Sequence, residues 1–182
     1  MKKIVTLSAL LFMMCLPAMC QDESPRFEVM GGYSHATGDI GLNGWETGAG
    51  YRASKWLALV ADFSGQYGSN SVLGIGFKSS LHSFLFGPRV YVPLRDNPRI
   101  MPFGHLLLGA SRVHNEINNP LVGVNQTDSA FSWALGGGLD YQFRERFRVR
   151  IIQIDLLRTN SFNTGDNRAR IGAGLVYQFG ER

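Results

Sequence analysis

The amino-acid sequence predicts an all-β protein, an eight-stranded antiparallel up-and-down barrel that spans a membrane. Three observations predict it. Apolar residues recur at period 2 in segment after segment, and no segment keeps the helical period of 3.6. The segments number eight, and the links between them alternate between short and longer. The charged residues sit on the strand face opposite the aromatic one, the reverse of a water-soluble barrel.

The chain has 182 residues and opens "MKKIVTLSALLFMMCLPAMC". Lys2 and Lys3 form a basic start, Ile4 to Leu16 an apolar stretch, and Pro17 breaks it. That pattern is a secretory leader, too short for a transmembrane helix of about 20 residues. Ala18 and Cys20 fit the small positions before a cleavage site, so the expected domains are a cleaved segment 1–20 and a barrel 21–182. The rival reading acylates Cys20, with Met19 standing where a small residue is expected. Both cysteines, Cys15 and Cys20, lie in this leader, so the mature chain is expected to hold no disulfide and no thiolate chemistry. Removing Lys2 and Lys3 lowers the formal charge from +4 to +2, 16 basic against 14 acidic residues. The basic pI does not point to nucleic acid, because no run of Lys or Arg concentrates the charge.

The first run, 26–34, sets Phe27, Val29 and Tyr33 against Glu28, Met30, Gly32 and Ser34. The second, 44–53, sets Trp45, Thr47, Ala49 and Tyr51 against Glu46, Gly48, Gly50 and Arg52. In the third, 56–67, Leu57, Leu59, Ala61, Phe63 and Tyr67 oppose Val60, Asp62, Ser64 and Gln66. In the fourth, 79–94, Phe84, Phe86, Val90 and Val92 oppose Ser83, Gly87, Arg89 and Tyr91. The fifth, 100–114, places Leu106, Leu108 and Ala110 against His105, Gly109 and Ser111. The sixth, 132–143, has Trp133, Leu135, Leu139, Tyr141 and Phe143 on one face and Ser132, Ala134, Gly136, Gly138, Asp140 and Gln142 on the other. The seventh, 148–159, sets Ile152, Ile154 and Leu156 against Gln153 and Asp155. The eighth, 168–179, alternates throughout, Ala169, Ile171, Ala173, Leu175, Tyr177 and Phe179 against Arg168, Arg170, Gly172, Gly174, Val176 and Gln178.

Links around 54–55, 95–99 and 144–147 are short, and those at 35–43, 68–78, 115–128 and 160–167 are longer. Short turns on one side and longer loops on the other are the outer-membrane pattern, and an even strand count puts both ends on the periplasmic, short-turn side. In lipid an open sheet edge is not tolerated, so the sheet must close. Eight strands leave an interior just wide enough for side chains. Glycines on the inward face of 132–143 would then make room for longer neighbours and ease curvature. Trp45, Trp56, Tyr67, Tyr91, Trp133, Tyr141, Phe143, Tyr177 and Phe179 lie near strand ends and suit interfacial girdles.

The leader, together with "WLALVADFSGQYG" (56–68), "LHSFLFGPRVYV" (81–92), "FSWALGGGLDYQF" (131–143) and "RARIGAGLVYQFG" (168–180), resembles the small eight-stranded outer-membrane barrels, the OmpA-type membrane domain and the outer membrane protein beta-barrel group. The resemblance covers nearly all of the mature chain. It implies a bacterial outer-membrane protein of structural or narrow porin-like role, a monomer contacting outer-membrane lipids and lipopolysaccharide, and neither cofactor nor nucleic acid. It further implies an assembly signal for the barrel assembly machinery in the last strand, carried by Gly174, Tyr177 and Phe179. Gly172 departs from the polar residue usual there, and Gly180, Glu181 and Arg182 follow the final Phe. A peptidoglycan-tethering role is not expected.

The candidate site is the inward charged set: Glu28, Glu46, Asp62, Asp140 and Asp155 with Arg52, Arg89 and Arg170, and His105 nearby. One reading is an ion path. The favoured one is an ion-paired plug that fixes register, because buried charges demand partners. His35, His82, His105 and His114 fit no zinc spacing, with His35 and His114 expected in or near outer loops. A lipid A hydrolase of this architecture implies His-x-Ser, which does not occur, and Asp128-Ser129 with His35 is a weak match to an acyltransferase. Leu121, Val122 and Val124 form a mildly apolar tip, expected to pack over the barrel mouth. The alternative function is a binding module that uses the outer loops.

Overall fold

A computed structural model describes residues 26–38, 41–72, 75–118, 123–161 and 164–180. The leader 1–20 and the tip residues Leu121 and Val122 lie outside these residues, as does the side chain of Val124. Eight strands run β1 (Phe27–Ala36), β2 (Leu42–Arg52), β3 (Leu57–Val72), β4 (Ile75–Tyr91), β5 (Ile100–Asn118), β6 (Gly123–Arg144), β7 (Phe147–Ser161) and β8 (Thr164–Phe179). Each pairs antiparallel with its sequence neighbours, and β1 closes on β8 into a barrel.

The inside-out patterning holds on every strand. Phe63, Phe84, Phe86, Leu135, Ile154 and Leu175 are exposed on the outer face, while the alternate positions are buried in the lumen. The sheet has no edge, so the backbone ladder runs right around the barrel. Gly136 and Gly138 show why glycine is placed inside. A Cβ on Gly136 would collide with Asp155 Oδ1 and the Ile154 carbonyl, and one on Gly138 with the Phe103 ring and the Ile152 carbonyl. Gly180 follows β8 at φ 90°, where a side chain is strained.

Three expectations are corrected. The longer outer links are mostly strand: β3 and β4 stay paired from Leu57↔Val90 to Val72↔Ile75, and β5 and β6 out to Asn118↔Gly123. Strands of 19 and 22 residues far exceed the 9–11 that cross a bilayer. Beyond the membrane both faces meet water, so alternation fades while the ladder continues. His35 and His114 accordingly lie on the outer parts of β1 and β5, near the outer links. Tyr91 is not a girdle residue. It points inward, 1% exposed.

The third correction is the phase of β7. Ile151 and Ile152 are both exposed, and the register with β8 jumps from Arg150↔Gly174 to Gln153↔Gly172. Two residues on β7 thus oppose one on β8, a β-bulge. Strict alternation back from Ile152 would turn Arg148 and Arg150 to lipid. The bulge turns both into the lumen, where they are 2% and 0% exposed.

Candidate functional site in the lumen

All nine side chains of the predicted charged set are buried in the lumen: Glu28, Glu46, Arg52, Asp62, Arg89, His105, Asp140, Asp155 and Arg170. The bulge adds Arg148 and Arg150. Among the described residues the buried carboxylates then number five and the buried arginines five, so their formal charges balance. Sequence alternation alone left that balance two arginines short. The missed signal was the apolar pair Ile151-Ile152, which breaks the inside-outside alternation.

Arg170 is the hub. Its guanidinium donates to Asp62 Oδ1 (2.8 Å), Asp155 Oδ2 (2.6 Å) and Ser64 Oγ (3.2 Å), and lies 3.9 Å from Glu46. Asp155 also pairs with His105 Nε2 at 2.8 Å. His105 Nδ1 faces Arg89, 3.3 Å from its Nε. Gln153 Nε2 donates to both Glu46 and Asp155 at 2.8 Å, tying β2 to β7 across the lumen. Arg150 clasps Asp140 through two contacts (2.9 and 3.2 Å), donates to Gln153 Oε1 (2.7 Å), and lies over the Phe103 ring at 4.4 Å.

A second group gathers at the short-turn end. Tyr91 donates its hydroxyl to Glu28 at 2.6 Å. Arg89, Arg52 and Arg148 surround the same carboxylate at 3.7, 3.8 and 3.9 Å. Arg52 also lies over the Tyr91 ring, 4.3 Å from its centroid. A gap of about 10 Å³ between Glu28, Met30, Asp62 and Arg89 holds at most one water.

On the outer side of these charges the lumen changes character. On β2, Glu46 gives way to Leu42; on β4, Arg89 to Leu85, Ser83 and Leu81; on β5, His105 to Leu107 and Ser111; on β7, Asp155 to Leu157 and Thr159. The four leucines of β4, β5 and β7 join Leu42 in the buried apolar cluster. Between them, hydroxyls pair across neighbouring strands, Ser111 to Ser83 at 2.8 Å and Ser132 to Thr159 at 3.0 Å. Leu85, Leu107 and Leu157 went unread because "FLF", "LLL" and "DLL" are runs in which alternation has no visible phase.

Tyr177 and Phe179 face outward near the short-turn end, their rings 5.9 Å apart, with Phe179 5.7 Å from Phe27 across the β1–β8 seam. Gly174 lies opposite Gly32, where a Cβ would come 2.9 Å from the Gly32 Cα. The fold itself therefore demands glycine there. Asp128 and Ser129 lie on β6 and His35 on β1, which are not neighbouring strands.

Residues 6–179 match the family described as outer membrane protein beta-barrel domain. No curated protein matches the chain. Among solved structures it is similar to Ail, the attachment invasion locus protein of Yersinia pestis, in complex with the heparin analogue sucrose octasulfate: 17% identity, TM-score 0.58, covering 85% of this chain and 99% of that one. It is similar to Neisserial surface protein A at 14% identity and TM-score 0.59, covering 84% and 97%. It is also similar to the outer membrane protein OprG of Pseudomonas aeruginosa at 12% identity and TM-score 0.51, covering 88% and 99%. At these identities the likeness is one of fold.

Proposed function

The chain belongs to the outer membrane protein beta-barrel family and lies in the bacterial outer membrane, and from that premise we propose that it is a shut, structural barrel rather than an open pore. The observation that carries this reading is the double filling of the lumen. A charge-balanced network occupies the inner half, and leucines with paired hydroxyls occupy the outer half. An ion entering from outside would lose its water among Leu42, Leu85, Leu107 and Leu157 before reaching the buried charge network, and an unpaired charge in apolar surroundings is strongly disfavoured. The barrel acts as a monomer. The assembly machinery reads Gly174, Tyr177 and Phe179, and the partners of the finished barrel are outer-membrane lipids and lipopolysaccharide. No enzymatic step is assigned to it; altered lipid A on overexpression would count against that.

Planar-bilayer recording tests the reading. The refolded protein is expected to give no discrete conductance steps. Steps from the wild-type protein would restore the porin-like role. A second reading, a binding module, draws support from the paired strands beyond the lipid band and from the attachment role in the name of the similar Ail. Shortening the β5–β6 hairpin should then abolish a binding phenotype while the heat-dependent gel mobility of the folded barrel survives.

A further inference from the structure

The formal charges of the lumen balance in total but not from place to place. Around Arg170 stand three carboxylates, Glu46, Asp62 and Asp155, and Arg150 holds a fourth, Asp140. At the short-turn end the ratio is reversed. Arg89, Arg52 and Arg148 lie 3.7, 3.8 and 3.9 Å from the single carboxylate of Glu28. Three positive charges against one negative leave this group two positive charges in excess. Its hydrogen bonding is lopsided in the same direction. Among the described residues, Arg52 Nε and Nη2, Arg148 Nε and Nη1, and Gln178 Nε2 are buried donors with no acceptor. One acceptor of the group, Glu28 Oε2, is likewise unpaired. It lies beyond bonding reach of Arg52 Nε (3.8 Å) and Arg148 Nη1 (3.9 Å).

We propose that this end of the lumen binds a small inorganic anion of the halide class between Arg52, Arg148 and Gln178. Unpaired buried donors are destabilising, charged ones most of all, and the partner that suits them is an acceptor. Water accepts but brings no charge. An anion answers both the unpaired N–H groups and the excess positive charge, and a cation answers neither. The register sets these groups at one end of the barrel. Glu28 on β1 pairs with Gln178 on β8 and with Gly50 on β2, two residues before Arg52, and Arg148 is the second residue of β7. Arg52 and Arg148 both stand over the Tyr91 ring, 4.3 and 5.6 Å from its centroid, so two like charges share one aromatic wall. A negative ion between them screens that repulsion. The scale is small. The gap between Glu28 and Arg89 takes at most one water, so a monatomic ion fits these surroundings and a phosphate ester or nucleotide does not. The way in is the short-turn mouth, where Arg52 keeps slight exposure. All three short turns expose cations around it, Lys55, Arg95 with Arg99, and Arg144 with Arg146, against two acids, Asp96 and Glu145. That surplus raises the concentration of anions at the opening. The ion does not cross the leucines of the outer half, so the site goes beyond the shut-barrel reading without contradicting it.

The test exchanges anions around the refolded full barrel in zwitterionic micelles, replacing sodium gluconate stepwise by sodium chloride or sodium bromide at constant ionic strength and pH. The readout is the midpoint temperature at which the folded gel band converts to the unfolded one. Both halides are expected to raise the wild-type midpoint along a saturating curve. In Arg148→Gln the half-saturating halide concentration should rise about tenfold, as loss of a charge-assisted contact implies. Arg158→Gln, an exposed change on the outer part of β7, should leave the curve unchanged. Anomalous diffraction from crystals grown in bromide is the second measurement, with a peak expected in contact with Arg52 and Arg148. A wild-type midpoint indifferent to both halides, an unchanged curve in Arg148→Gln, or bromide-grown crystals without that peak would overturn the site. If Arg148→Gln gives no folded band, the wild-type bromide peak decides, its presence upholding the site and its absence overturning it.

Discussion

Along β5 the lumen side reads Phe103, His105, Leu107 and Ser111, and the step from His105 to Leu107 divides two regions that fill the same barrel by different means. Toward the short-turn end, Arg170, Asp155, Asp62, Glu46 and Gln153 lock β2, β3, β7 and β8 together by directed contacts. Toward the outside, Leu42, Leu81, Leu85, Leu107 and Leu157 close the space by contact area, with hydroxyls bonding locally. The first region specifies register, because a slipped strand would strand a charge. The second has no such penalty and relies on volume. A narrow barrel thus separates specificity from occlusion along its axis.

Deleting Ile151 removes the one extra residue and sets Arg150 directly beside Ile152, so plain alternation keeps Arg148 and Arg150 in the lumen and Asp140 keeps its clasp. This variant is expected to retain a heat-modifiable folded band; loss of that band would break the account of the bulge. Arg170→Ala leaves Asp62, Asp155 and Glu46 without their hub. The expected loss is about 3–5 kcal/mol, read as a lowered urea midpoint in micelles. Leu107→Ala in the outer half should cost about 2–3 kcal/mol through its cavity. If Leu107→Ala proved as costly as Arg170→Ala, the two regions would not differ as described. In recordings, Leu107→Ser combined with Leu85→Ser should admit ions sooner than any single change in the charged half. Tyr91→Phe removes one hydroxyl from Glu28, which keeps three arginines around it, and should cost about 1 kcal/mol.

The barrel was legible in the sequence because lipid imposes a strict period of 2, and strands such as 168–179 obey it without exception. Nine lumen side chains could be named for the same reason. Arg148 and Arg150 could not, since one inserted residue reverses the phase and no local propensity announces it. The leucine layer was hidden in apolar runs, and Tyr91 was misplaced because a strand-end aromatic suits either face. The outer hairpins read as loops because water on both sides removes the pattern while backbone pairing persists.

The β1–β8 seam carries a consequence for time rather than for stability. Phe27 pairs with Phe179, and Gly32 meets Gly174, so the ladder that closes the barrel joins the first described strand to the last. No partial chain can make that ladder. Pairings this distant in sequence are the slow ones, because loop-closure entropy is lost before any contact repays it. Until β8 arrives, β1 is an open edge in search of a partner. Closure is therefore the final act of folding, and whatever holds β1 in the interval governs how quickly the barrel is born.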